Sequence, residues 1–153
     1  MNRSIWSSRS QVVNRHWGYE QQWATMLPLD GKVLYIKNGA RTSMKMFDRK
    51  DEVLFIQSGR VMAVVADEEI FSKKTAVFRK INLREGDVLN IQAGCPYRLE
   101  AIEGNAVVVE ISNGHTSDYI RFDDDFGRED KCEKTSLIRE KLERIEDDCN
   151  RST

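Results

Sequence analysis

The stretch from Gly39 to Gly59, GARTSMKMFDRKDEVLFIQSG, constrains the fold of this chain more than any other. Apolar and polar residues alternate within Thr42 to Phe47, and a second segment of apolar residues, Val53 to Ile56, follows the charged residues Asp48 to Asp51. Alternation with a period of two indicates β-strands that have one buried face. The spacing predicts a β-hairpin whose second strand begins at Glu52, a side chain that must face either water or the interior of a barrel.

Further short alternating segments occupy most of the remaining chain. We predict strands at His16 to Ala24, Lys32 to Lys37, Arg60 to Ala66, Ala76 to Leu83 and Val88 to Ile91, and a second hairpin of Leu99 to Ile102 with Ala106 to Ile111. Ser58-Gly59 and Glu103-Gly104-Asn105 are the turn signals beside these segments. Eight or more short strands with regularly spaced turns predict a closed or sandwiched antiparallel barrel.

The charge balance and the cysteines exclude several classes of protein. The chain has 24 Lys and Arg against 25 Asp and Glu, so no basic excess favours nucleic acid. No apolar run is long enough to span a bilayer, and the first residues lack the apolar core of a signal peptide, so we expect a cytoplasmic protein without membrane contact. Three cysteines without paired spacing indicate neither a disulfide framework nor a zinc knuckle.

The end of the chain has a different pattern. From Ser136 to Cys149 the apolar residues follow helical spacing, with Ser136 as the expected N-cap. A single helix of this length is marginal in water, so it must dock on its own barrel or on a partner subunit. We divide the chain into an N-terminal arm at 1–14, a barrel at 15–128 and a C-terminal helical extension at 129–153. The arm suits edge-strand pairing in a homodimer.

A second stretch, Leu83 to Tyr97 (LREGDVLNIQAGCPY), completes a recognisable pair of motifs. Together with the first stretch it resembles the two motifs of the cupin superfamily. Gly39, Glu52 and Gly59 fall at the glycine, glutamate and glycine of the first motif, and Gly86 and Gly94 fall at the glycines of the second. The resemblance implies an all-β fold, the cupin double-stranded β-helix (jelly-roll barrel), with a short C-terminal α-helix.

The closing run DYIRFDDDFGR, Asp118 to Arg128, makes the resemblance more specific. With the tryptophan-glycine element at Trp17, the chain is similar to the type II mannose-6-phosphate isomerases, including the C-terminal cupin domain of the bifunctional isomerase and mannose-1-phosphate guanylyltransferase enzymes. The similarity in motif order and spacing covers roughly Trp17 to Arg128. It implies a role in carbohydrate metabolism.

The metal-binding positions of that family are mostly replaced here. Its glutamine, histidine, glutamate and second histidine correspond to Lys45, Phe47, Glu52 and Tyr97. Neither a phenyl ring nor a protonated lysine offers a lone pair to a divalent ion. We therefore predict a cupin with no metal and no other cofactor.

Two hypotheses describe what the substituted pocket does. In the first, Lys45 and Glu52 form a structural ion pair and Phe47 fills the remaining space. In the second, Lys45 holds an anion and Tyr97 donates a hydrogen bond or a proton to a sugar ligand, so that Lys45, Glu52 and Tyr97 are the catalytic candidates. The candidate substrate-binding residues are Arg41, Arg98, Arg121 and Arg128, because arginine forks suit phosphate oxygens. The alternative for each arginine is a solvated charge or a pair with Asp123 to Asp125.

Two classes of function follow. The first is a metal-free binding module that takes a sugar or sugar phosphate into the barrel without the standard metal chemistry. The second is an active enzyme, a sugar-phosphate isomerase or a nucleotide-sugar epimerase or ketoisomerase of polysaccharide biosynthesis. Since the related isomerases use the metal to stabilise a developing oxyanion, its loss makes an ordinary isomerase mechanism hard to sustain.

Overall fold

The strands of the chain form one curled antiparallel sheet. The computed structural model describes residues 2–25, 28–113 and 119–151, with side chains as far as residue 145. The elements within these residues are β1 (Gln11–Arg15), β2 (Gly18–Ala24), β3 (Leu29–Ile36), β4 (Met44–Phe47), β5 (Glu52–Val65), a 3-10 helix (Glu68–Phe71), β6 (Arg79–Arg84), β7 (Val88–Ile91), β8 (Tyr97–Asn113), β9 (Tyr119–Asp123) and α1 (Glu133–Arg151).

The sheet closes on itself because two long strands each belong to both halves of it. One path runs β1-β2-β3-β8-β4-β9, and β5 pairs with β8, β6 and β7. The inward faces of these strands form the main core, which includes Leu34, Leu54, Ile56 and Val108. The predicted all-β jelly-roll barrel with a C-terminal helix is confirmed.

The predicted hairpin between the segments at Thr42 and Val53 is wrong. Both segments are strands, but β4 pairs with β8 and β9, and β5 does not pair with β4. Both edges of the N-terminal half of β5 are already occupied, by β7 and by β8. Residues 48–51 therefore carry the chain from one half of the sheet to the other instead of closing a two-stranded unit.

The turns predicted at Ser58-Gly59 and at Glu103 to Asn105 are also wrong. The chain continues through both points as the long strands β5 and β8, whose mutual pairing is irregular there. Gly59 has φ +84°, Glu103 +58° and Gly104 +115°, which are conformations typical of β-bulges as well as of turns. Each irregularity shifts the inward–outward alternation by one residue. On β5 the inward positions are even-numbered up to Ile56 and odd-numbered from Val61, and on β8 they are odd-numbered up to Ala101 and even-numbered from Ala106.

Helix α1 docks on the barrel of its own chain, one of the two placements expected from the sequence. It begins at Glu133, three residues before the predicted N-cap Ser136. Ile138 is fully buried in a second core with Met44, Met46 and Phe122. This second core lies on the outer face of β4, so that β4 is covered on both sides. Among the described residues, no helix is long and apolar enough to cross a membrane.

Candidate functional site

A cavity of about 610 Å³ lies inside the barrel, and eight of the residues that line it are charged. The described cations that line it are Arg15, Lys32, Lys45, Arg121 and Arg128. The described carboxylates that line it are Glu20, Asp30 and Glu110. The wall therefore carries an excess of positive charge, although the chain as a whole has a formal net charge of −1.

Three neighbouring strands place one row of side chains across this wall. Lys45 on β4 is the direct cross-strand partner of Tyr97 on β8 and of Arg121 on β9. All three side chains line the cavity. Phe47 and Tyr119, two residues further along β4 and β9, form the next row and contact each other with ring centroids 5.5 Å apart. Lys45, Phe47 and Tyr97 thus point inward, as the sequence predicts.

Behind this wall, Glu52 is held by a phenol and an ammonium group. The Tyr97 hydroxyl donates to Glu52 Oε2 at 2.6 Å. Lys50 Nζ lies 3.1 Å from Glu52 Oε1 and 3.5 Å from Glu110 Oε1. Lys50 Nζ is buried and off the hydrogen-bond direction to either oxygen, so the attraction is chiefly electrostatic. Its charge also lies 4.4 Å from the centroid of the Phe47 ring.

These contacts move the two carboxylates in opposite directions. Burial alone would raise the pKa of Glu52, but Lys45, Lys50 and the Tyr97 hydroxyl outweigh burial and lower it. Burial raises the pKa of Glu110, and the charge of Glu52 raises it further. Burial and the neighbouring Glu52 charge also raise the pKa of Tyr97 well above its usual value. At neutral pH Glu52 is therefore the ionised acceptor and Tyr97 the neutral donor.

The predicted ion pair between Lys45 and Glu52 is wrong in its cation, because Lys50 takes that place. Lys45 forms no ion pair within 4 Å with any described carboxylate. Its ammonium lies 5.3 Å from the centroid of the Phe47 ring and 5.8 Å from that of the Tyr97 ring. Burial lowers the pKa of Lys45, and the more distant charges of Glu52 and Glu110 partly oppose that effect.

A second charged cluster stands on β2 and β3. Glu20 accepts hydrogen bonds from Arg15 at 2.9 Å and from Gln22 at 2.8 Å, and Lys32 Nζ lies 3.7 Å from the same carboxylate. Burial would raise the pKa of Glu20, but the Arg15 hydrogen bond and the Lys32 charge lower it overall. Two of the lining cations are thus already paired.

The four predicted arginines separate into two pairs. Arg121 and Arg128 line the cavity, whereas Arg41 and Arg98 do not. Arg41 binds Asp125, with its Nε 2.9 Å from each carboxylate oxygen, and Arg98 is buried with its guanidinium 2.9 Å from Asp123.

This placement corrects the expectation that all four arginines converge on a ligand, because these two guanidinium groups bind the last residue of β9 and the segment that follows it. Arg128 is also paired, donating to Asp124 at 2.8 and 2.9 Å. Those hydrogen bonds hold the pKa of Asp124 well below its ordinary value. Arg121 is therefore the one predicted arginine that lines the cavity without a carboxylate partner among the described residues.

The side chains at the former metal positions do not fit a divalent cation. Both Glu52 oxygens already face a hydrogen-bond donor or an ammonium group. Two lysine charges would repel a metal ion placed beside them. The described part of the chain contains no group of three or more His, Cys, Asp or Glu residues arranged to hold a metal. The donor set is consistent with the prediction that Glu52 acts without a coordinated ion, a prediction that metal analysis will test.

Sequence reasoning missed Lys50 and Glu110. The sequence places Lys50 in a charged turn, but it is 2% exposed and compensates two carboxylates. Nothing in the sequence distinguishes Lys50, since all four residues from Asp48 to Asp51 are charged. Glu110 did carry a signal, because it is a lone acidic residue in the apolar run AVVVEI of β8. A charge at an inward position of such a strand must be paired or functional.

Comparisons with known proteins identify the fold. The chain matches no protein-family model and no curated protein in sequence. The capsular polysaccharide assembling protein CapF of Staphylococcus aureus superposes on 77% of this chain with a TM-score of 0.65 and 13% identity, over 35% of its own length. Oxalate decarboxylase of Lactobacillus farciminis matches 74% of the chain with a TM-score of 0.60 and 14% identity, over 35% of its length. KdgF from Halomonas sp. matches 65% with a TM-score of 0.53 and 14% identity, over 80% of its length.

These neighbours are cupins, and the chain has the jelly-roll cupin fold. It spans about a third of the length of CapF and of the decarboxylase. At this level of identity the likeness shows the fold alone, and it does not show the closer resemblance to mannose-6-phosphate isomerases that the sequence motifs suggest.

Proposed function

We propose that this chain is a sugar-binding cupin that takes a sugar or sugar phosphate into its barrel and holds it with side chains instead of a coordinated metal. The cavity lining carries the proposal. Its volume of about 610 Å³ falls within the range of about 300–1,000 Å³ typical of small-molecule sites. Rings of Trp17, Phe47, Tyr97 and Tyr119 stand beside ionised donors and acceptors in the wall. A sugar needs both kinds of surface, because it has apolar C–H faces and many hydroxyl groups.

The structural neighbours support a role connected with sugars. CapF is a capsular polysaccharide assembling protein, and it shares the fold of this chain. The motif similarity to sugar-phosphate isomerases comes independently from the sequence. CapF and the motif similarity both support a carbohydrate ligand, whereas oxalate decarboxylase, which shares the fold, is named for a different small molecule.

The test is a binding assay with two matched tyrosine variants. Tyr119 and Tyr19 are each 38% exposed, but only Tyr119 lines the cavity, whereas Tyr19 stacks on Tyr35 on the outer face of the sheet. In isothermal titration with mannose and mannose 6-phosphate, we expect Tyr119→Ala to weaken binding several-fold, about tenfold at most, and Tyr19→Ala to leave it unchanged. The proposal is overturned if neither sugar binds, or if the two variants change the binding affinity equally.

A second candidate is an enzyme of the sugar-isomerase or epimerase type. The observation that favours it is the opposite displacement of two carboxylate pKa values, with Glu52 lowered and Glu110 raised, next to the cavity. Two neighbouring carboxylates whose pKa values are shifted in opposite directions are suited to separate acid and base roles in proton transfer between adjacent carbons. Deuterium incorporation into mannose 6-phosphate from heavy water, abolished by Glu110→Gln, would establish this activity. Binding without any exchange would exclude it.

The homodimer expected from the sequence stays a proposal. β1 is an edge strand, paired only with β2 among the described elements. On the outer face of β5, β7 and β8, the side chains of Val53, Phe55, Val88 and Ile111 are 41–49% exposed and adjoin one another across the strands. Such an uncharged face suits a self-complementary contact between two copies. Light scattering should give twice the chain mass, and Phe55→Glu should return it to the monomer.

A further inference from the structure

We propose that Lys45 and Arg121 together form a binding site for an oxyanion carried by the sugar, either a phosphate ester or a carboxylate. The two residues are direct cross-strand partners on β4 and β9, and both line the cavity. Side chains opposite each other in an antiparallel pair have Cβ atoms about 4.5–5.5 Å apart, and like charges placed so are destabilising. An anion seated between the two cations removes that repulsion.

These two are also the lining cations that lack a carboxylate partner. Arg15, Lys32 and Arg128 are each paired with Glu20 or Asp124. The Lys45 ammonium group lies near the Phe47 and Tyr97 rings, and neither Lys45 nor Arg121 forms an ion pair with any described residue. Unpaired cations in a cavity wall are costly, and here the two unpaired ones are adjacent.

The donors of Arg121 point to the same conclusion. One guanidinium nitrogen donates to the Tyr119 hydroxyl at 2.7 Å and another to the Arg128 carbonyl at 3.3 Å. Its Nε is buried and has no hydrogen-bond partner among the described residues. A buried donor left unsatisfied costs free energy that a ligand oxygen would recover. Arg121 therefore retains one unused donor besides its full charge.

Negative charges near the pair do not cancel it. Glu52 and Glu110 both act on Lys45, but Lys50 lies within ion-pair distance of both carboxylates. Asp130 accepts a hydrogen bond from the backbone N–H of Arg121 at 2.8 Å, but it forms no ion pair with the Arg121 guanidinium group among the described contacts. The wall thus keeps a local excess of positive charge at β4 and β9, whereas its carboxylates Glu20, Asp30 and Glu110 lie on β2, β3 and β8. A ligand is oriented with its anionic group toward Lys45 and Arg121 and its hydroxyl groups toward the carboxylates.

This inference rests on the proposed function in taking the cavity as a sugar site, but the anion site is measurable without a sugar. The probes are inorganic phosphate, mannose, mannose 6-phosphate and glucuronate, titrated calorimetrically into the wild-type chain, Lys45→Met and Arg121→Met. The control is Arg60→Met, which removes the same unit of charge from an exposed arginine that pairs with Glu103 on the outside. Circular dichroism verifies folding, and if one cavity variant fails to fold, the other carries the test.

We expect inorganic phosphate to bind the wild-type chain and Arg60→Met alike, and to bind each cavity variant about tenfold more weakly or worse. Mannose 6-phosphate or glucuronate should bind more tightly than mannose, and the preferred acid identifies the phosphate ester or the carboxylate as the natural group. That preference should disappear in both cavity variants.

The possible failures are separable. If mannose binds but neither acidic sugar gains affinity, the sugar site stands and the anion site is wrong. If inorganic phosphate binds through Lys45 and Arg121, but none of the sugars binds more tightly than inorganic phosphate, the anion site stands and the proposed function fails. Equal phosphate binding by the cavity variants and the control, or no phosphate binding at all, overturns the inference.

Discussion

Replacing Lys50 by methionine should destabilise this protein far more than removing an exposed lysine. Lys50 Nζ lies 3.1 Å from Glu52 and 3.5 Å from Glu110, and the lysine and Glu52 side chains are each 1% exposed. Methionine keeps most of the side-chain volume, so the change removes the charge and leaves little cavity. Two buried carboxylates would then lose their nearest cation.

The magnitude follows from these distances. At an effective dielectric constant of about 20, unit charges 3.1 Å apart attract each other by about 5 kcal/mol. Desolvation of the ammonium group offsets several kcal/mol of that attraction in the folded state. Breaking a buried pair by removing one partner typically costs about 3–5 kcal/mol, because the remaining charge stays buried without compensation. We expect a loss in this range, equivalent to a fall of about 10 °C in Tm.

Urea unfolding of wild-type, Lys50→Met and Lys73→Met chains measures the effect. Lys73 pairs with Glu69 at 2.7 Å, but both side chains are more than half exposed, so Lys73→Met should cost less than about 1 kcal/mol. Adding Glu52→Gln to Lys50→Met should recover part of the loss, since it removes the stranded charge. If Lys50→Met costs no more than Lys73→Met, the account of the barrel interior as a compensated charge network is refuted.

Two further predictions concern the same network. Tyr97→Phe removes the hydroxyl that donates to Glu52, and should cost about 1–3 kcal/mol in urea unfolding, because a buried carboxylate loses its donor; a neutral outcome would mean that another donor replaces it. Burial and Glu52 raise the pKa of Glu110 above its ordinary 4.5, so the folded state binds this proton more tightly than the unfolded state, and stability is lost as the pH rises from about 4.5 through the folded pKa. Glu110→Gln should therefore exceed the wild type in Tm at pH 8 and match it below pH 4, and a difference that does not depend on pH would contradict this origin.

The sequence predicts the strands of this fold well, because each inward face is buried and each outward face is not. On β6, Ile81 and Leu83 pack on the core, while the polar residues Lys80, Asn82 and Arg84 on either side of them are exposed. A period of two records such a difference directly. The same pattern holds no information about which strand lies beside which, and that is why β4 and β5 were wrongly paired.

The bulges show a second limit. Gly59 has a positive φ, and a Cβ added there would lie 2.4 Å from the Asn105 carbonyl oxygen on the neighbouring strand. The glycine is thus required by a close approach within the sheet, not by a reversal of the chain. Turns and bulges demand the same residue for the same conformational reason, so composition alone does not distinguish them.

The pocket could be located from the sequence but not assigned in detail. Motif spacing placed Lys45, Phe47 and Tyr97 in one cavity wall, where the structure has them. Motif spacing could not show that Lys50, in the charged connection between β4 and β5, lies within ion-pair distance of Glu52. That exchange has a consequence for ligand choice. Because Lys50 lies beside the carboxylate, Lys45 stands in the cavity wall next to Arg121 without a carboxylate partner among the described residues, and this is why the ligand group proposed for that place is an anion.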